Sequence, residues 1–110
     1  MSVFSNTTWN IIGNGFPGVL NINDNPNAAP PLSGDLYSDP LVGIVITGNQ
    51  ISFTRQGNGF QQMWSGTAVS VGGGGGVNSI WSIMGMFTHR QGGQQAGPFL
   101  WGGSSELIPG

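Results

Sequence analysis

Glycine or proline breaks this chain so often that no segment can sustain a helix. The 110 residues hold 21 glycines and 7 prolines, and strong helix formers such as Ala, Glu and Lys are scarce. Between the breaks stand short runs of β-branched and aromatic residues. Thr7-Thr8-Trp9-Asn10-Ile11-Ile12 ends at Gly13-Asn14-Gly15. Residues 18–23 follow, with Leu20 and Ile22 on one face. A polar loop with Pro26, Pro30 and Pro31 leads to Leu36-Tyr37-Ser38, which ends at Asp39-Pro40, and then to 42–47.

Gly48-Asn49 marks the clearest hairpin, since both residues tolerate positive φ. Its return strand, Ile51-Ser52-Phe53-Thr54-Arg55, alternates cleanly. Gly57-Asn58-Gly59 turns the chain into 62–69, and the glycine run at 72–76 reads as a flexible loop. Residues 80–88 read as the longest strand, and the last centres on Phe99-Leu100-Trp101. Such runs number about eight, joined mostly by short hairpins. The expected fold is all-β: one domain over 1–110, an eight-stranded antiparallel up-and-down β-barrel. Gly43, Gly66 and Gly85 fit the bends that closure requires. A two-sheet sandwich is the rival, but it needs long cross-connections that are few here. Gly-Asn-Gly-Phe occurs at 13–16 and 57–60 and reads as two similar turns.

Charge restricts the chemistry. Only 5% of the residues are charged, against about 25% in ordinary domains. They are Asp24, Asp35, Asp39, Glu106, Arg55 and Arg90, and His89 is the one histidine. There is no Lys for a Schiff base, no Cys for a disulfide or thiolate site, and no second His for a metal cluster. No cofactor is expected. A net charge of -2 gives no counterion-release drive toward nucleic acid or an anionic membrane. No apolar run is long enough for a transmembrane helix. The start lacks signal-peptide features, so the expected location is cytoplasmic or reached by a non-standard secretion route. A charge so near zero weakens colloidal repulsion, which favours a homo-oligomer.

Asp35 and Asp39 read more simply as solvated turn acids than as a catalytic pair. His89 suits proton transfer and shares a face with Trp81, Ile83, Gly85 and Phe87 by alternation. If that face is inward, His89 stands at the barrel mouth; the plainer reading is a solvated strand-end histidine. Arg55 alternates with Ile51 and Phe53 and would anchor a ligand carboxylate from an inward position. Its plainer reading is a solvent-reaching arginine. Trp9, Trp64, Trp81 and Trp101 come from four different strands, so closure would gather several of them as core or as a ligand wall. Trp64 and Trp81 are preferred for the wall, because the glycine loop that joins their strands can act as a lid.

Several pieces are similar to the avidin and streptavidin family. Trp64-Ser65-Gly66-Thr67, a glycine-rich hairpin and Ile80-Trp81-Ser82-Ile83 resemble that family's Trp-Ser-Gly strand, loop and Trp-bearing strand. Thr8-Trp9 resembles its opening Gly-Thr-Trp, and residues 32–38 its Leu-Thr-Gly-Thr-Tyr-x-Ser strand. The resemblance implies an up-and-down barrel, often tetrameric, with a ligand in one open end. Trp64 and Trp81 match ligand-walling positions, and Ser38 matches a ligand-contacting hydroxyl. Tyr37 falls one residue out of register, which would turn it to the other face. Ile11 stands where the family has a ligand-contacting asparagine, and Phe60 and Gln62 replace small hydroxyl residues. No residue matches the family's late tryptophan or the aspartate of its final strand. A similar barrel with an altered biotin site follows.

The expected function is non-catalytic binding of a small molecule in an aromatic-walled pocket, with Trp64, Trp81, Ser38, Trp9, Trp101, Arg55 and His89 as candidate contacts. The alternative is a glycan-binding lectin that uses Trp with Asn, Gln and Ser on strand ends and loops. An enzyme using His89 and one acid is less favoured.

Overall fold

The computed structural model describes residues 3–74 and 77–105, with all of their side chains except those of 72–74 and 77–79. It is a closed barrel of eight antiparallel strands in chain order. The strands are β1 (Thr7–Gly13), β2 (Phe16–Asp24), β3 (Leu32–Leu36), β4 (Asp39–Thr47), β5 (Gln50–Gly57), β6 (Phe60–Gly74), β7 (Val77–Gln91) and β8 (Gln94–Ser105). Each pairs with the next, and β1 closes the ring on β8 from Trp9↔Ser105 to Gly13↔Trp101. Closure leaves no free edge.

Alternation sends one face of every strand inward. Trp9 and Ile11 of β1, Leu20 and Ile22 of β2, and Ile51 and Phe53 of β5 are all buried. Trp64 and Ala68 of β6, Ile83 and Phe87 of β7, and Trp101 of β8 complete most of the core. At its centre Trp64 stacks on Phe87 with centroids 4.0 Å apart and meets Trp101 edge-on at 5.2 Å. Two glycines make room for these rings. Gly66 and Gly85 face each other across β6 and β7. A Cβ at Gly66 would strike the Trp101 indole, and one at Gly85 the β6 backbone. Gly43, at φ 62°, sits where the β4–β5 register shifts between Val42 and Val45, a bulge that bends β4.

Three local readings change. The glycine run at 72–76 is not wholly loop. Residues 72–74 pair with β7 and extend β6, because the ladder satisfies their backbone groups whatever the side chain. Gly75 and Gly76 lie outside the described residues. The strand expected over 80–88 is longer, since β7 has 15 residues, as has β6. Tyr37 and Ser38 are not strand: they form the two-residue β3–β4 turn at φ 52° and 66°. Strand alternation therefore does not govern Tyr37, and its ring packs against the core rather than on the outside.

The two barrel ends differ. At the end holding the start of β1, the turn of residues 3–6 brings Phe4 onto Trp9, with centroids 5.6 Å apart, and both are fully buried. Thr7 Oγ1 donates to the Phe4 carbonyl and accepts from Trp9 Nε1. Ser5 and Asn6 tie the same turn to Asp24. This end is plugged. The other end carries the β1–β2, β3–β4, β5–β6 and β7–β8 turns and is open.

Candidate functional site

The open end holds a cavity of about 310 Å³. Its floor is Trp64 and Phe87, the stacked pair of the core. The Gly-Asn-Gly-Phe turn at 13–16 lines it, and the one at 57–60 lies at the same end of the barrel. β2 and β6 are four strands apart in the ring, so Phe16 and Phe60 begin strands on opposite sides of the mouth. Phe16 lines the cavity and is 69% exposed. Phe60 packs over Arg55 and His89. Glycine clears the space beneath the rim aromatics, since a Cβ at Gly18 would enter the Tyr37 ring and one at Gly57 the Phe60 ring.

Tyr37 leans across the mouth from its strained turn. A bulky residue at positive φ is costly. Its ring gains contact with the Arg55 guanidinium, 4.7 Å from the ring centroid. Its hydroxyl donates to the Phe16 carbonyl at 2.6 Å. Burial pushes that hydroxyl above its usual range, while the Gly13 backbone and the charge of Arg55 pull the other way.

One polar chain crosses the wall. Ile51 and Phe53 are inward, so Arg55 on the same face is inward too. Its Nη2 pairs with Asp39 Oδ2 at 2.6 Å, and its Nη1 donates to Gln62 Oε1 at 2.9 Å. Gln62 is only 8% exposed, and its Oε1 also accepts from Trp64 Nε1 at 3.0 Å. With two donors on its oxygen, Gln62 must face His89 with its amide nitrogen, 2.9 Å from His89 Nδ1. His89 Nδ1 therefore accepts, and Nε2 carries the hydrogen directed at Gln91 Oε1, 3.1 Å away. Asp39 balances Arg55, so the chain of groups holds a cation in a half-buried site without net charge.

The residues expected at the site divide. Trp64, Arg55 and His89 meet at the mouth. The His89 face is inward, as Ile83 and Phe87 beside it are buried. Trp101 lies below them and spends its N–H on the Ser65 carbonyl at 2.9 Å. Trp9 belongs to the plug at the far end. Trp81 also lies toward that end, partly buried, with its backbone N–H on Ser105 Oγ. Ser38 is exposed in its turn and does not line the cavity. Asp35 bonds Asn21 on the outer face, away from Asp39, so the two acids do not act together. Ile11, where the resembling family has a polar contact, is core.

Gln62, Tyr37, Asp39 and Phe16 were not singled out as site residues. Gln62 had a legible signal: it alternates with Trp64, so an inward Trp64 makes it inward. The paired Gly-Asn-Gly-Phe turns signalled Phe16 and Phe60. Nothing in the order of residues announced that Asp39 would reach Arg55. Among the described residues no group of three or more His, Cys, Asp or Glu is placed to hold a metal ion. Comparison of the chain with protein-family models, curated proteins and solved structures finds no match.

Proposed function

We propose that this barrel is a non-catalytic binding protein for a small molecule held in the open mouth. The observation that carries the reading is the contrast in how polar groups are placed inside the barrel. At the mouth an arginine and a glutamine line a cavity floored by stacked aromatics, with a histidine hydrogen-bonded to the glutamine. A fold needs no such half-buried polar chain for stability, whereas small-molecule pockets combine apolar walls with a few placed polar groups. The cavity volume falls in the range of known ligand sites, about 300–1,000 Å³. The resemblance to avidin and streptavidin supports the same reading, with a pocket of different chemistry: Gln62 and Arg55 stand in the wall, and Ser38 is outside it.

The glycan alternative draws less support. Trp9, Trp64 and Trp101 are buried with their N–H groups spent internally, and a sugar platform needs an exposed ring. Titration with biotin, simple sugars and small aromatic acids, read by tryptophan fluorescence, tests both. Saturable binding of one molecule per chain, weakened by Trp64→Phe, is expected. Multivalent sugar binding unaffected by Trp64→Phe would overturn the proposal.

The outer surface supports assembly of the chain with itself. Met63, Val69, Val71, Met84, Met86 and Leu100 lie exposed on the adjoining strands β6, β7 and β8. No charged side chain is interspersed among them until Arg90 near the open end. A second copy of the chain fits this face, because two uncharged surfaces meet without like-charge repulsion. Sedimentation should show an oligomer that Met84→Glu dissociates; a wild-type monomer at tens of micromolar, on the order of a weak association, would overturn this.

A further inference from the structure

Granted a ligand in the mouth, the direction of every hydrogen bond on the deep wall restricts what that ligand can be. Gln62 Oε1 is filled by Arg55 and Trp64. Asp39 is engaged by Arg55. The Tyr37 hydroxyl gives its hydrogen to Phe16 and faces the Gly13 backbone. Gln62 Oε1 is thus filled and one Asp39 oxygen is paired, whereas the donors of the deep wall are not all used.

Arg55 has five N–H bonds, and two described partners, Asp39 and Gln62, take one nitrogen each. Its Nε is buried and has no partner among the described residues. Gln62 has a second amide hydrogen besides the one turned to His89. Only Asn14, on the exposed rim, still offers both a donor and an acceptor. An unfilled buried donor is costly, while a filled one is stabilising.

We infer that the pocket selects a flat apolar ring bearing an oxygen acceptor, a ketone or a carboxylate, and rejects the same ring bearing only donors. The ring sits above the edges of Trp64 and Phe87, whose faces are stacked on each other, and the oxygen takes the remaining Nη hydrogens of Arg55 and the second amide hydrogen of Gln62. A donor-only substituent would face N–H against N–H on the deep wall and find its acceptor at Asn14 on the rim. This inference rests on the binding function proposed above and adds the class of ligand.

Three probes of one size test it: acetophenone, benzoate and benzylammonium. Each is titrated into the full chain and followed by the side-chain N–H resonances of Arg55, Gln62 and Trp64. Acetophenone and benzoate should bind at least tenfold more tightly than benzylammonium and move the Arg55 Nη and Gln62 amide N–H signals. Gln62→Glu, which replaces the amide donor by an acceptor, should narrow or reverse that preference. Equal binding of all three probes would overturn the ligand class while leaving the site intact. No binding by any of them, with no shift of the Trp64 indole, would overturn the binding function as well.

Discussion

The two ends of the barrel are built from the same strands yet solve opposite problems. At the plugged end Trp9 gives its single donor to Thr7, Thr7 gives its own to Phe4, and the two rings fill the space. The Thr7 and Trp9 donors are both used inside the seal. At the open end Trp64 gives its donor to Gln62, which is shared with Arg55 and leads outward to His89. The same local device, an indole hydrogen-bonded to the residue two places before it, is used once to close the barrel and once to wire a pocket.

The largest break in this comparison comes from the plug. Trp9→Ala removes a fully buried indole and should cost about 3–5 kcal/mol in urea unfolding, with ligand affinity unchanged in the molecules that remain folded. A proportionate loss of affinity would mean that the ends are not independent. Next is Gln62→Leu, which strands the Arg55 and Trp64 donors. It should cost about 1–3 kcal/mol and weaken mouth binding at least tenfold, the opposite split from Trp9→Ala. Both arms are read from denaturation midpoints and titration of the same samples.

Smaller effects sharpen the picture of the Tyr37 turn. Ser38 is exposed at φ 66°, where an L side chain is disfavoured. Ser38→Gly should stabilise the fold by roughly 0.5–1 kcal/mol after its entropy cost and leave binding unchanged. The smallest effect is alkaline. Burial raises the folded-state titration of Tyr37 above the ordinary 10.0, so the folded chain holds this proton more tightly than the unfolded one. That contribution is complete below about pH 10 and is lost as pH rises through the folded value. Tyr37→Phe should remove the corresponding slope from stability measured between neutral and alkaline pH.

These contrasts also explain what sequence reading could reach. The barrel was legible because Gly and Pro forbade helices and because alternation in Ile51-Ser52-Phe53-Thr54 reports a one-sided core; over Ile80 to Phe87 both faces are apolar, so the inward face was not legible there. Alternation put Arg55 with Ile51 and Phe53, and His89 with Ile83 and Phe87, but a solvated strand end was the plainer reading of both until the closed ring placed those faces inward. The long β6–β7 hairpin was hidden, because a glycine run looks like a loop until a partner strand pairs with it. Tyr37 was misplaced by the assumption that it sat in a strand; neither Tyr nor Ser signals a positive-φ turn. Gln62 and Asp39 escaped because an amide or a carboxylate is ordinary until its three-dimensional partners are known. Phe4 escaped because the chain must fold back before it meets Trp9.

The most direct test of the account uses the four tryptophans as markers of place. Their indole N–H resonances, assigned by single Trp→Phe variants, can be followed during titration with acetophenone and benzoate. The account predicts a saturable shift of Trp64, a smaller one of Trp101 that touches it, and none of Trp9 at the plug. A shift confined to Trp9 or Trp81, or none at all with either compound, would contradict the assignment of the open mouth as the binding site.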